Sequence, residues 1–147
     1  MGVRRAVPSD LSAVLRIGAG GFVGDDPFDA QWLVDKLAEP GTQLVVDDAG
    51  ANLIRGFLVI QRYTSGTVVR LIAVDPQFRR QGVGKRLLAR VKGPAGAAVR
   101  EENAPSRAMF EKAGWEQTVK EWVEESKPSE AHSGNWVYYA LQKQKVV

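Results

Sequence analysis

The 147-residue sequence predicts a mixed α/β fold of seven strands and four helices. Three observations carry this expectation. Apolar residues recur at helical spacing in two segments near the N-terminus. Three strand-like runs follow with connections too short for crossovers, which suits an antiparallel meander. The third of them, VVRLIAVDP, ends at Pro76 directly before a glycine turn that opens a helix. The full order is strand, two helices, three strands, helix, strand, helix, two strands.

Residues 3–7 read as the first strand. Pro8-Ser9-Asp10 then supplies capping residues for a helix carrying Leu11, Val14, Leu15 and Ile17, which Gly18 to Gly24 should end. A second helix runs from about Pro27, a favoured first-turn residue, to Glu39, with Phe28, Trp32, Leu33 and Leu37 on one face and Pro40-Gly41 as terminator. Gln43–Asp47, Ile54–Tyr63 and Thr67–Val74 are the three meander strands. The helix after the glycine turn places Val83, Leu87, Leu88 and Val91 inward and stops at Gly93-Pro94. Ala97–Arg100 is a short buried strand and Ala104–Ala113 a helix with Gly114 at its C-terminal cap. Trp115–Val123 and Asn135–Gln142 form a closing hairpin across a polar loop.

With 44% apolar and 25% charged residues, the composition is that of a single globular domain spanning 1–147. The absence of cysteine excludes disulfides, thiolate metal sites and a cysteine nucleophile, and the cytoplasm is the expected compartment. MGVRRAVPSD lacks the apolar stretch of a signal peptide. No run approaches the roughly 20 apolar residues of a membrane span, so no membrane partner is expected. The net charge of +3 is unevenly spread. Arg79, Arg80, Lys85, Arg86, Arg90 and Lys92 follow one another with no acid between them, whereas 111–130 is largely acidic. Such a basic run suits a solvated helix face, a nucleic-acid patch or a phosphorylated small molecule. The neighbouring glycines favour the last. A polynucleotide reader would interleave aromatics, and this segment has only Phe78, so no nucleic-acid partner is expected.

Gly82 and Gly84 let the backbone approach a ligand closely, and free amides at a helix N-terminus favour an anion. Two common phosphate motifs do not fit this turn. A Walker A loop needs glycine five residues before Gly84 and Ser or Thr after Lys85, where Arg79 and Arg86 stand. A dinucleotide fingerprint from Gly82 needs Gly or Ala at Leu87. The remaining pattern, Arg79-x-x-Gly82-x-Gly84 after a strand ending Val-Asp-Pro, resembles the acyl-CoA-binding motif of the GNAT superfamily, the acetyl-CoA-dependent N-acetyltransferases. A second segment, EENAPSRAMFEKAGW, is similar to that family's Asn-x-x-Ser/Ala and aromatic-x-x-x-Gly-Phe/Trp pattern, in the expected order and about twenty residues later.

The resemblance implies a mostly antiparallel seven-stranded sheet in which strands 4 and 5 run parallel and splay apart, flanked by four helices, with acyl-CoA in the gap. It implies direct transfer of an acetyl group from acetyl-CoA, without a metal, to a primary amine of a small molecule or protein in a ternary complex, by a monomer or homodimer. By position, the backbone of Arg79, Arg80, Gln81, Gly82, Val83, Gly84 and Lys85 would cradle the pyrophosphate, with basic side chains adding charge. The backbone of Ile72 and Val74 would pair with the pantetheine arm, and the Ile72 amide would polarise the thioester carbonyl. Asn103, Ser106 and Phe110 would line the other wall.

The chain also departs from the family pattern. Many members place a tyrosine where Phe110 stands, so that acid is absent. Tyr63, Tyr138 or Tyr139 could substitute, and each also reads as an ordinary strand tyrosine. Many relatives carry a glutamate base on the fourth strand, where the only charge here is Arg70. Arg70 either caps a sheet edge or binds a carboxylate or phosphate on the acceptor. Phe22, Asp25, Asp26, Phe28 and Asp29 lie in the connection that lines the family's acceptor pocket. Its aspartates either draw an ammonium group or serve as turn and N-cap residues. His132 is a solvated loop residue or a general base. These departures leave a second reading, a catalytically weak acyl-CoA-binding or sensing module.

Overall fold

The structure, a computed structural model, describes residues 2–21, 28–64, 66–118 and 136–141. Seven strands form one sheet: β1 (Gly2–Arg5), β2 (Thr42–Asp48), β3 (Ile54–Tyr63), β4 (Gly66–Val74), β5 (Ala95–Arg100), β6 (Glu116–Thr118) and β7 (Trp136–Leu141). Their spatial order is β1-β2-β3-β4-β5-β7-β6. Four helices accompany them: α1 (Leu11–Gly21), α2 (Ala30–Ala38), α3 (Val83–Leu88) and α4 (Ala104–Lys112). Every strand pair is antiparallel except β4–β5, which is parallel. The expected α/β class, strand count and parallel central pair are all present.

The central strands read as continuous apolar runs because both faces of the sheet are covered. On β3, Leu58 and Ile60 pack with Leu87, Leu88 and Phe110 on the face of α3 and α4. Phe57 and Val59 alternate onto the opposite face, against Val14 and Ile17 of α1 and Leu33 of α2. Burying a side chain of this size contributes about 1.5–3 kcal/mol, so the two clusters fix which edges of the sheet remain free.

Two expectations about helices need correction. The first helix is not one of them: the sequence places its end within Gly18 to Gly24, and α1 runs through Gly21. Gly18 is there for space: a Cβ would lie 1.9 Å from Cε1 of Phe28, whose ring occupies the helix surface. The second helix begins at Ala30 because Asp29 is its N-cap, its Oδ1 accepting from Trp32 N at 2.8 Å; Pro27 lies outside the described residues. The helix after the glycine turn ends at Leu88, although Val91 beyond it is still buried. The later elements lie close to expectation, with β5 starting two residues early at Ala95 and α4 capped by Asn103. Of the expected strand Trp115–Val123, 116–118 is described as β6, and the remainder lies outside the described residues.

Candidate functional site

The site starts from a failure of pairing. β4 and β5 pair only at Thr67↔Ala95, Val68↔Gly96 and Val69↔Ala97. Beyond that point β4 continues to Val74 on β3, and β5 continues to Arg100 on β7, so a gap opens between them. Asp75 N donates to Arg55 O at 2.8 Å, which directs the backbone of Asp75 towards β3. Strand alternation then turns Ala73 towards β3 as well, and turns the N–H and C=O groups of Ile72 and Val74 into the gap. An extended ligand arm could take the place of the missing strand.

The turn at the open end of β4 is shaped by named contacts. Asp75 Oδ1 accepts from Gln77 N at 3.0 Å and caps a short 3-10 turn over Pro76–Phe78. Its Oδ2 accepts from Arg16 Nη1 on α1 at 3.0 Å. Arg80 then takes φ +65° and Gly82 φ +75°, a left-handed N-cap with no side-chain cap on α3. The first-turn amides of α3 therefore have no side-chain acceptor, which is the arrangement that receives an anion. Arg79, Arg80, Gln81 and Lys85 are exposed around them.

The two glycines are needed for different reasons. A Cβ on Gly82 would meet only Arg86 Nη1, at 3.4 Å, so glycine serves the backbone angle there. Gly84 is buried, and a Cβ would lie 2.4 Å from Cγ and Sδ of Met109 on α4. Gly84 also brings α3 close to α4, a packing role that its place in the motif does not reveal.

Arg86, counted among the basic residues of the run, faces inward. Its Nη2 and Nε donate to Asp47 Oδ2 at 3.0 and 3.3 Å, and its Nη1 donates to Gln81 O at 2.8 Å. Asp47 on β2 is fully buried and also accepts from Arg55 Nη2 at 2.9 Å. The clamp holds the turn to the sheet. Sequence reasoning missed it, although an acid inside the apolar strand TQLVVDD was a signal that could have found it.

On the other wall, Asn103 N-caps α4 at the end of β5, its Oδ1 accepting from Ser106 N at 3.2 Å. Both residues are half-buried. Phe110 lies in the core, 1% exposed, edge-on to Trp115 at 5.0 Å and stacked on Tyr139 at 5.6 Å. Tyr139 donates from its hydroxyl to Glu111 Oε2 at 2.6 Å and accepts from Arg107 Nε at 3.3 Å. Burial, then the bond to Glu111, pushes the Tyr139 phenol above its ordinary pKa. Tyr63 accepts from Arg70 Nη2, and Arg70 Nε donates to Gln61 Oε1 at 2.9 Å. Tyr138 is half-buried on the other face of β7.

Of the acceptor-side candidates, Phe28 is half-buried and packed on Phe57 and Trp32, at 5.7 and 5.6 Å, and Asp29 is the α2 cap already described. Phe22, Asp25, Asp26 and His132 lie outside the described residues. Among the described residues no three His, Cys, Asp or Glu side chains group as a metal site, and no helix is long and apolar enough to cross a membrane.

The splayed parallel pair leaves an unpaired edge of β4 beside helix amides that have no side-chain acceptor. Residues 39–117 match the family model described as the acetyltransferase (GNAT) domain. The chain belongs to the GNAT acetyltransferase family. It is 28% identical over 117 residues to N-alpha-acetyltransferase RimI of Mycobacterium tuberculosis, covering 74% of this chain and 73% of that protein. It is 30% identical over 118 residues to an uncharacterized Mycobacterium leprae protein, covering 74% of this chain but only 33% of that protein. Among solved structures, the ribosomal-protein-S18-alanine N-acetyltransferase of Escherichia coli aligns with TM-score 0.74 at 18% identity, covering 99% of this chain and 95% of that one. The Salmonella typhimurium protein yncA, solved with its cofactor acetyl-CoA, aligns with TM-score 0.67 at 16% identity, covering 98% and 94%.

Proposed function

We propose that this protein transfers an acetyl group from acetyl-CoA directly to the primary amine of a small molecule or protein within a ternary complex. The observation that carries the reading is the unpaired β4 edge at Ile72 and Val74 beside the uncapped N-terminus of α3. The exposed Arg79, Arg80, Gln81 and Lys85, with the backbone of Gly82, Val83 and Gly84, hold the pyrophosphate. Ile72 and Val74 pair with the pantetheine arm, and Asn103 and Ser106 contact it from the β5 side. Acetyl-CoA supplies the activated thioester. The acceptor amine, relieved of its ammonium proton, attacks the carbonyl carbon; a C–N bond forms, the C–S bond breaks, and the CoA sulfur leaves and takes up a proton. The Ile72 amide meets the charge that develops on the carbonyl oxygen, a contribution of about 3–4 kcal/mol for a well-placed donor. The strand edge and the turn hold both reactants in register. The likeness to the N-alpha-acetyltransferase RimI keeps a protein α-amine among the candidate acceptors.

One observation favours a second reading, an acyl-CoA-binding or sensing module. Phe110 is buried and carries no hydroxyl, and the Tyr139 hydroxyl beside it already donates to Glu111. Calorimetry with acetyl-CoA, followed by thiol-release assays over an amine panel, separates the two. Tight binding with turnover is expected, tight binding with no turnover favours the module, and no binding of any acyl-CoA eliminates both.

A further inference from the structure

Arg70 differs from the other shielded arginines in what neutralises it. Arg4 lies 2.8 Å from Asp10 and 3.1 Å from Asp48, Arg55 and Arg86 share Asp47 at 2.9 and 3.0 Å, and Arg100 faces Glu102 at 3.8 Å. Arg107 reaches Glu111 through the shared Tyr139 hydroxyl. Arg70 is half-buried, and among the described residues it pairs with no carboxylate. Its partners are neutral. Gln61 Oε1 accepts from Nε at 2.9 Å, Tyr63 OH accepts from Nη2, and the guanidinium carbon lies 5.7 Å from the Tyr63 ring centroid. Gln61 is itself 5% exposed and tied to Pro40 O through Nε2 at 3.2 Å. Neutral partners orient a cation without neutralising it, and a shielded charge lacking a counter-ion is costly. Among the described residues, two of the five guanidinium donors are used. Both hydrogens of Nη1 and one of Nη2 remain, the fork that receives a carboxylate on two bonds.

The position of Arg70 says which molecule brings that carboxylate. The register passes from Val59↔Leu71 to Ile60↔Val69, so Arg70 is the extra residue of a β-bulge, a device that re-aims a side chain. Gln61 and Tyr63 share a face of β3 with Val59, which packs towards α1 and α2, and Leu71 packs there as well. Arg70 therefore serves the α1–α2 side of the sheet, away from α3 and α4. It is also the first β4 residue past Val69, where the gap opens. Ile72 lies two residues on, about 7 Å along the strand.

Resting on the acetyltransferase reading above, we infer that Arg70, oriented by Gln61 and Tyr63, binds a carboxylate on the acceptor, which is accordingly a small amine with a carboxylate a few bonds from the reacting nitrogen. Arg70 and Ile72 lie on one strand, so a single small molecule spans from the Arg70 fork to the Ile72 amide. A charge-assisted two-point contact discriminates against a neutral isostere by roughly tenfold to a hundredfold.

The test compares glycine, β-alanine and 4-aminobutyrate with their amides as acceptors for the 147-residue chain and acetyl-CoA, by thiol release. Each acid is expected to exceed its amide in kcat/KM by that factor, mainly through KM. Arg70→Gln should make acid and amide react at similar rates. Arg70→Lys should restore only part of the preference, and Tyr63→Phe should weaken it. The melting temperature of Arg70→Gln should hold or rise because a cation without a counter-ion has gone, whereas a purely structural Arg70 predicts a fall. Equal rates for acid and amide in the natural chain overturn the inference, as does a preference for a short N-terminal peptide amide. A preference for 2-aminoethyl phosphate reassigns the site to phosphate and overturns the carboxylate. If no amine turns over, the acetyltransferase reading fails on its own, and N-acetylglycine titrated calorimetrically still decides the carboxylate site. Roughly tenfold weaker binding to Arg70→Gln supports it, and equal or absent binding rejects it.

Discussion

At the scale of single residues, backbone conformation separates side chains that look alike in the sequence. Arg80 holds φ +65°, which costs a non-glycine residue about 1–2 kcal/mol. Arg80→Gly should therefore raise stability by up to ~1 kcal/mol in thermal unfolding while lowering acetyl-CoA affinity in calorimetry, because strain and charge are removed together. Gly84 behaves differently. Gly84→Leu should cost about 1–3 kcal/mol through the collision with Met109, and Met109→Ala should recover part of the loss in the double variant. An unchanged melting temperature for Gly84→Leu would show that α3 and α4 are not closely packed at this point. A third residue effect depends on pH. The Arg4 guanidinium, bonded at 2.8 Å, holds the Asp10 carboxyl below its ordinary range despite opposing burial. Since the folded pKa is depressed, the stability from this pair is present above the ordinary carboxylate range near 4 and is lost as pH falls through the folded value. Asp10→Asn should flatten the acid limb of the stability curve measured by urea unfolding, and should lower the plateau near pH 7.

At the scale of elements, the turn between β4 and α3 depends on residues far from it in sequence. Arg86 links Gln81 O to the buried Asp47 of β2, and Arg16 of α1 holds Asp75. Arg86→Gln should weaken acetyl-CoA binding about tenfold by calorimetry, and Arg86→Lys should not restore it, because an ammonium cannot span both acceptors. Asp47→Asn should produce a comparable loss although the arginine charge remains. If Arg86 instead touched phosphate directly, Lys would rescue and Asp47→Asn would not weaken binding. The turn itself was legible because its pattern is local: Val-Asp-Pro, Arg79, Gly82 and Gly84 lie within a dozen residues. The clamp was not, since 39 residues separate its two charges. Helix bounds are less legible for a related reason. Gly18 disfavours a helix interior by propensity, yet tertiary contact with Phe28 gives it a place inside α1.

At the scale of the whole molecule, the site exists because β4 and β5 begin side by side and then follow different neighbours. Replacing Thr67 or Val68 with proline should close off the short parallel pairing that fixes the apex, lowering both stability and acetyl-CoA affinity, with thermal unfolding and calorimetry as the measures. Sequence by itself determined the α/β class, the order of elements, the glycine turn before α3 and the family resemblance, because periodicity, turn chemistry and motif spacing are properties of neighbouring residues. Only the tertiary structure decided where β4 and β5 part, which backbone groups face the gap, and that Gly84 packs on Met109. It also decided that Arg70 meets Gln61 and Tyr63 and, among the described residues, no carboxylate. Each of these depends on register and long-range contact, and residues distant along the chain carry no local mark of being brought together.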